Sequence, residues 1–164
     1  MMGYEPPTTS RKKPPAVIPN ATNAPVIVIV AAVIIDDAGR LLLVRKRGTD
    51  RFMQAGGKID PGESTASALV RELHEELGVV VGPDDLEYLG QFDADAANEA
   101  GHVVDAEVFA VDLGARAGDA VASAEIDELI WVSPADALGY PLAPLTSEVL
   151  MPVIVERAAA KRGR

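Results

Sequence analysis

Three glutamates stand close together in the middle of the chain. Glu72, Glu75 and Glu76 are spaced at i, i+3 and i+4, which places their carboxylates on one face of a helix. Like charges at this spacing repel by about 0.2–0.5 kcal/mol for each pair. Taken alone, the pattern is more typical of a solvated acidic face than of a functional site. A divalent cation such as Mg²⁺, for which Mn²⁺ can substitute, would offset the repulsion because both ions prefer oxygen ligands.

The residues around the glutamates favour the metal interpretation. Arg71 lies four residues before Glu75 and could orient and partly neutralise it. Gly56 and Gly57 form a loop whose backbone can approach a metal closely, because glycine has no side chain. Glu63 lies near the predicted start of the helix and could hold Arg71 or the loop. Together these residues predict a metal-binding site.

The helix that must position the glutamates is predicted from Ser64 to Leu77. Leu69 and Leu73 recur at a four-residue interval with Leu77 and form an apolar stripe on one side. Gly78 suits the position just after the helix end. The carboxylates therefore lie on a helix that packs on a core.

The flanking segments predict a mixed arrangement of strands and helices. Residues 1–24 are rich in Pro, Thr and Ser and are predicted to form a flexible tail, and residues 25–164 one domain. The run from Val26 to Ile35 predicts a buried strand, and Leu41 to Arg47 its hairpin partner. The other predicted elements are strands near Phe52–Ala55, Leu86–Phe92, His102–Asp112 and Leu129–Ser133, and a closing helix over Thr146–Lys161.

Composition narrows the class of partner. The formal net charge is −10, and an acidic surface repels nucleic acids and anionic membranes. A small phosphate ligand is still compatible if cations bridge it to carboxylates. The sequence contains no cysteine, which excludes thiolate chemistry and is consistent with the reducing cytoplasm, where we expect the protein. A homodimer is left open.

The segment from Gly57 to Val79, GKIDPGESTASALVRELHEELGV, resembles the Nudix box, G-x5-E-x7-R-E-U-x-E-E-x-G-U, where U is a bulky aliphatic residue. All nine specified positions are filled. The resemblance is to small bacterial MutT-like members, and it implies an α/β fold, the α/β/α sandwich around a mixed β-sheet.

The resemblance also implies roles for the residues of the box and its flank. Glu75 and Glu76 would bind the metal, and Glu72 would be a ligand or the base that activates water, with Glu75 as the competing base. The Gly56 carbonyl would complete the metal shell. The supporting residues would be Arg71 and Glu63, which orient the carboxylates, and Lys58, which faces the phosphates.

Candidates outside the box are less strongly indicated. Glu125 lies six residues before Trp131, as does a metal-associated glutamate of MutT-like chains, although a surface glutamate is equally compatible with the sequence. Asp105 and Glu107 share one face of their predicted strand and are lesser rivals. Arg45, Lys46 and Arg47 end the second strand, where family members often bind phosphate, but solubilising edge charges would look the same.

The expected activity is metal-dependent cleavage of a phosphoanhydride bond in a nucleoside diphosphate linked to another group. Short length and MutT-like spacing favour a nucleoside triphosphate, cleaved to monophosphate and pyrophosphate. Nucleotide sugars and ADP-ribose are alternatives, although Ala94 stands where ADP-ribose members carry a proline. A different class, a non-catalytic Nudix ligand sensor, typically has a broken box, whereas this box is whole.

Overall fold

The computed structural model describes residues 24–164, so the predicted tail lies outside the described residues except for Ala24. The strands are β1 (Val26–Ile34), β2 (Leu41–Lys46), β3 (Phe52–Met53), β4 (Ala55–Lys58), β5 (Leu86–Asp95), β6 (Val103–Val111) and β7 (Ile126–Val132). The α-helices are α1 (Thr65–Leu77), α2 (Pro134–Ala137) and α3 (Met151–Arg162). Short 3-10 helices cover Pro83–Asp85 and Gly114–Asp119, and a π-helical segment covers Leu145–Leu150.

The strands form two sheets. One has the order β4-β1-β6-β5 and the other β3-β2-β7. The first sheet is mixed, because β1 runs parallel to β6 and antiparallel to β4. The predicted hairpin between β1 and β2 is therefore wrong, since only an isolated bridge between Ile35 and Leu41 joins them.

Long-range pairing explains this difference from the sequence prediction. Both edges of β1 are occupied, by β4 and by a nine-residue parallel register with β6. The strand β2 instead pairs with β3 and β7. A tight turn at Gly39 suggests a hairpin from local sequence, but the turn here carries the chain from one sheet to the other.

Helices cover both sides of the mixed sheet, which confirms the predicted sandwich of helices around a mixed sheet. On one face, Val30 and Ile34 of β1 pack in a core with Leu69, Leu73 and Leu77 of α1. The intervening residues of β1, among them Ala31 and Val33, pack on the other face with Leu150, Ile154 and Ala158. Only the second half of β1, from Val30 to Ile34, is buried on both faces, and it is apolar rather than alternating. In the first half, Val26 and Val28 are exposed, so the prediction of a buried strand is wrong there.

The helix α1 agrees closely with its prediction. The Ser64 hydroxyl accepts a hydrogen bond from the Ser67 amide at the N-terminus, and Gly78 adopts the left-handed conformation, φ 68°, after the C-terminus. The closing helix begins instead as the π-helical segment before α3. Pro152 lacks the amide that an α-helix would need there, which accounts for the widened turn. Within residues 24–164 no helix has the length and apolar character to cross a membrane.

Candidate functional site

Two adjacent glycines allow strand β4 to lie close to strand β1 on one side and to helix α1 on the other. Gly56 has φ +153°, and a Cβ atom there would lie 2.0 Å from the Val30 carbonyl oxygen. At Gly57 a Cβ atom would lie 2.6 Å from the Glu72 carboxylate, closer than real contacts allow. Position 56 therefore needs glycine for the strand pairing, whereas a larger residue at position 57 would displace the Glu72 carboxylate.

Glu76 lies at the centre of this contact. It is 1% exposed, and its Oε2 atom accepts a hydrogen bond of 3.1 Å from the Gly56 amide. Its other oxygen, Oε1, is buried and has no hydrogen-bond partner among residues 24–164. Burial raises the pKa of Glu76 to about 8, against the lowering effects of the Gly56 amide and the Lys46 charge. A buried carboxylate with an unpartnered oxygen fits a cation ligand, since an isolated buried charge is costly.

Arg71 fastens the loop after β4 to helix α1. Its guanidinium donates two hydrogen bonds of 2.8 Å to Glu63 and one of 2.8 Å to Glu72. It also donates to the Lys58 carbonyl at 3.0 Å. The hydrogen bonds from Arg71, helped by the Asp60 amide, lower the pKa of Glu63 to about 2. The prediction that Glu63 could hold Arg71 or the loop is confirmed on both counts.

Glu75 is placed differently from Glu72 and Glu76. Its side chain is 54% exposed, and its carboxylate lies 3.8 Å from the Arg71 guanidinium. In the described part of the chain, no three acidic or histidine side chains converge on one point with metal-ligand geometry. Glu72 faces Arg71 and Glu76 faces Gly56, so the carboxylates are neighbours with separate partners. Their donor chemistry, all oxygen, is that of a magnesium or manganese site.

Glu125 lies near this group, immediately before β7. Its carboxylate pairs with Lys46 at 3.3 Å, and its charge contributes to the raised pKa of Glu76. The small and acidic residues over 118–128 are typical of a mobile loop, but the segment is in part held in place. Ile126 already belongs to β7, and the Ser123 amide donates to the Glu76 carbonyl at 3.0 Å, which ties the segment to the end of α1.

The rival acidic residues have partners within the mixed sheet. Asp105 accepts hydrogen bonds from Gln91, and Glu107 accepts one from the Tyr88 hydroxyl. They share one face of β6, as predicted from their spacing. Neither contacts a glutamate of α1 by a hydrogen bond.

The three cations that end β2 face different partners. Arg45 pairs with Asp127 at 2.9 Å, and Arg47 donates a hydrogen bond of 3.5 Å to the Ala124 carbonyl. The pairing with β7 shifts register between Arg45 and Lys46, where Asp127 is the extra residue of a β-bulge. Of the three, Lys46 lines the cleft beside Gly56.

This cleft extends from Gly56 along the face of β1 that is remote from α1. Its floor is apolar, with Ile27, Ile29 and Val104, and Lys46 and Lys58 stand at the end near Gly56. Other parts of its lining come from the end of β5 and the residues after it and from the segment before α3: Asp95, Ala97, Asn98, Glu99, Ala143 and Leu145. Parts of the segments 93–102 and 139–147 therefore line the cleft.

The same cleft contains a residue that sequence reasoning missed. Gln54 lies between β3 and β4, is 6% exposed, and belongs to the lining. The available signal was an amide side chain two residues before the double glycine, in a segment otherwise predicted to be a strand. Its significance depends on contacts with distant residues, which the local sequence does not indicate.

Comparisons with known proteins indicate one and the same family. Residues 25–152 match the model of the NUDIX domain. The CTP pyrophosphohydrolase of Escherichia coli is 39% identical over 112 residues, 64% of this chain and 72% of that protein.

Two solved structures extend the similarity to the fold. The E. coli ORF135 protein has a TM-score of 0.58 and 32% identity over 85% of this chain and 94% of its own. The MutT protein of Methanosarcina mazei Go1 has a TM-score of 0.62 and 28% identity, over 87% of this chain and 99% of its own.

Proposed function

The chain belongs to the Nudix family of pyrophosphohydrolases, and we propose that it hydrolyses nucleoside triphosphates to nucleoside monophosphates and pyrophosphate with the help of Mg²⁺. The observation that carries this proposal is the buried Glu76 carboxylate, whose Oε1 atom has no partner within the described residues. A cation at this position would satisfy that oxygen and offset the surplus of carboxylates around it. The complete Nudix box favours an enzyme over a ligand sensor.

The groups that would hold the cation are oxygen donors around the β4–α1 contact: Glu72, Glu75, Glu76, the Gly56 carbonyl and Glu125. When bound, the divalent ion would neutralise phosphate charge and lower the pKa of the attacking water. Mn²⁺ would substitute, since it prefers the same ligands.

The neighbouring side chains then position the reactants. Arg71 and Glu63 hold Glu72 in place through charge-assisted hydrogen bonds. Glu75 is the more exposed carboxylate and can accept the proton of the attacking water, and Glu72 is the competing base. The water oxygen bonds to phosphorus as the phosphoanhydride bond breaks, and pyrophosphate leaves.

Lys58 and Lys46 would face the phosphates from the cleft. A cleft with cations near the carboxylates and an apolar floor farther away suits a molecule with phosphates at one end and a base at the other. Cytidine triphosphate is the first substrate to test, because the E. coli relative is named a CTP pyrophosphohydrolase. Nucleotide sugars and ADP-ribose are the alternatives.

The test combines a substrate screen with one substitution. Purified protein is assayed with Mg²⁺ against the nucleoside triphosphates, nucleotide sugars and ADP-ribose, and the products are identified by chromatography. Glu76→Gln should fold normally, because the change is nearly isosteric, yet lose kcat by about 10²-fold or more. An exposed glutamate of α3, changed as Glu156→Gln, is the matched control and should keep full activity.

Metal removal separates the proposal from its alternatives. Excess chelator should abolish turnover, and Mg²⁺ or Mn²⁺ should restore it. Full turnover in chelator would refute the metal-dependent mechanism. A preference for a sugar-linked diphosphate over every triphosphate would refute the choice of substrate, and no turnover of any compound, with binding retained, would indicate a sensor.

A further inference from the structure

We propose that Gln54 is a specificity-determining residue, whose side-chain amide donates a hydrogen bond to an acceptor atom on the edge of the substrate's nucleobase. This proposal rests on the proposed function, because it places the base in the cleft beside Gly56. It assigns a role to a residue that lies outside the Nudix box and is not one of the proposed cation ligands.

The observation is a buried amide that is only half satisfied. The Gln54 Oε1 atom accepts a hydrogen bond of 2.7 Å from the Thr146 hydroxyl. The Nε2 atom is buried and has no partner in the part of the chain that the structure describes. A buried donor without a partner costs about 1–3 kcal/mol. Gln54 lines the cleft, and a ligand acceptor there would remove that cost.

Thr146 determines which end of the amide is free. Its side chain is fully buried, and the bond to Gln54 is the one hydrogen bond that its hydroxyl makes among residues 24–164. If the amide rotated by half a turn, Nε2 would donate to the hydroxyl oxygen, and the hydroxyl hydrogen would have no acceptor. The observed orientation satisfies the hydroxyl and leaves the NH₂ group as the free end. The group available for a ligand is therefore a donor.

The position of Gln54 suits a contact with a base. It precedes Gly56 by two residues, which span about 7 Å of extended chain. The Gly56 amide donates to the Glu76 carboxylate, so the phosphates of a nucleotide would lie at that end of the cleft. The apolar floor formed by Ile27, Ile29 and Val104 can pack against the flat face of a base. A base in that place would have its edge near the Gln54 amide.

The chemistry of the donor defines what it recognises. A ring nitrogen or a carbonyl oxygen of a nucleobase accepts from an N–H group, whereas an exocyclic amino group does not. Replacing the Gln54 amide by a carboxylate would present an acceptor where the native residue presents a donor. The contact should therefore change base preference and leave phosphate binding unaffected.

The test uses three variants and four substrates. Gln54→Glu reverses the hydrogen-bonding character, Gln54→Met removes it at similar volume, and Thr146→Val releases the amide from its fixed orientation. For each, kcat and KM are measured with ATP, GTP, CTP and UTP. The inhibition constant of pyrophosphate, a product without a base, is measured alongside.

The expected result is a change that depends on the base. Gln54→Glu and Gln54→Met should raise KM for the preferred triphosphate by about 10- to 100-fold, with a smaller effect on kcat. The ratio of kcat/KM between the preferred triphosphate and the other three should decrease. Thr146→Val should decrease this ratio to a lesser degree. The inhibition constant of pyrophosphate should stay at the wild-type value.

Folding is checked by thermal denaturation, because both residues are buried, and at least one of the three variants must fold for the comparison. Folded variants that keep the wild-type base preference would overturn the role of Gln54 and leave the proposed function intact. A wild-type protein that hydrolyses none of the four triphosphates would overturn the proposed function and this inference together.

Discussion

Two arginines fasten loops to the rest of the domain in similar ways but in different electrostatic surroundings. Arg71 holds the loop after β4 to α1 through Glu63, Glu72 and the Lys58 carbonyl. Arg116 holds the 3-10 helix at 114–119 to the loop before β5, through Asp85 and the Val80 carbonyl. Each guanidinium makes a two-point contact with one carboxylate.

The difference lies in the balance of charge. Within 4.0 Å, Arg71 has four carboxylate partners: Asp60, Glu63, Glu72 and Glu75. Among residues 24–164, Arg116 has one, Asp85. The pair at Arg116 is neutral, and a neutral pair is sufficient to fasten a loop. The surplus of negative charge around Arg71, with the buried Glu76 nearby, exceeds what is needed to fasten a loop and supports the proposed cation site.

Replacing each arginine in turn should give the largest difference in kcat between the two clusters. Arg71→Met would release Glu72 and Glu63, and kcat should fall by about 10²-fold, the effect expected when a catalytic group is displaced. Arg116→Met removes an equivalent fastening that contacts none of the three glutamates of α1, and it should keep the wild-type kcat while lowering the melting temperature. Both are measured by steady-state kinetics with Mg²⁺ and by thermal denaturation. Equal losses of kcat would show that Arg71 acts only through stability.

The part of the site that the sequence predicts well is the part with short-range causes. The helix α1, its Ser64 cap and its Gly78 end follow from residues within a few positions of one another. The Arg71–Glu63 contact spans eight residues and follows from the turn between them. Local spacing is sufficient to predict these contacts because the loop and helix are continuous in the chain.

The cleft and the sheet order could not be predicted in the same way. The pairing of β1 with β6 and of β2 with β7 joins strands that are far apart in the sequence. The contact of Gln54 with Thr146 spans ninety-two residues. Whether the amide at position 54 has hydrogen-bond partners depends on how the last third of the chain packs. No local sequence pattern predicts that packing.

Glu125 tests whether the site extends beyond the box. Glu125→Gln should lower kcat or the apparent affinity for Mg²⁺ by about tenfold, as a supporting residue of a metal site does. Stability should change little, because the ion pair with Lys46 is exposed at the Glu125 side. The control is Glu128→Gln, an exposed glutamate three residues later beside Arg45. If Glu125→Gln keeps full activity and Mg²⁺ affinity, Glu125 is a surface charge, and Asp105 and Glu107 are the next residues to test.

The smallest expected effect concerns the stability that each arginine cluster contributes, and it depends on pH. Arg71 lowers the pKa of Glu63 to about 2 from its ordinary value of 4.5, and Arg116 lowers the pKa of Asp85 below 3.8. A carboxylate whose pKa is lower in the folded state stabilises the fold above its unfolded pKa. That stabilisation is lost as the pH falls towards the pKa of the carboxyl group in the folded state, because the group is then protonated in the folded protein as well.

Glu63→Gln and Asp85→Asn remove these two contributions and can be compared directly. Urea unfolding at pH 7, 5, 4 and 3 should show each variant less stable than wild type at pH 7. The difference for Glu63→Gln should shrink between pH 4.5 and about 2, and that for Asp85→Asn below 3.8. At pH 7 only Glu63→Gln should also lower kcat, because only Glu63 holds an arginine that contacts Glu72. A stability difference that stays constant from pH 5 to pH 3 would show that the ion pair contributes nothing to folding, and the Arg71 cluster would then act on the position of Glu72 alone.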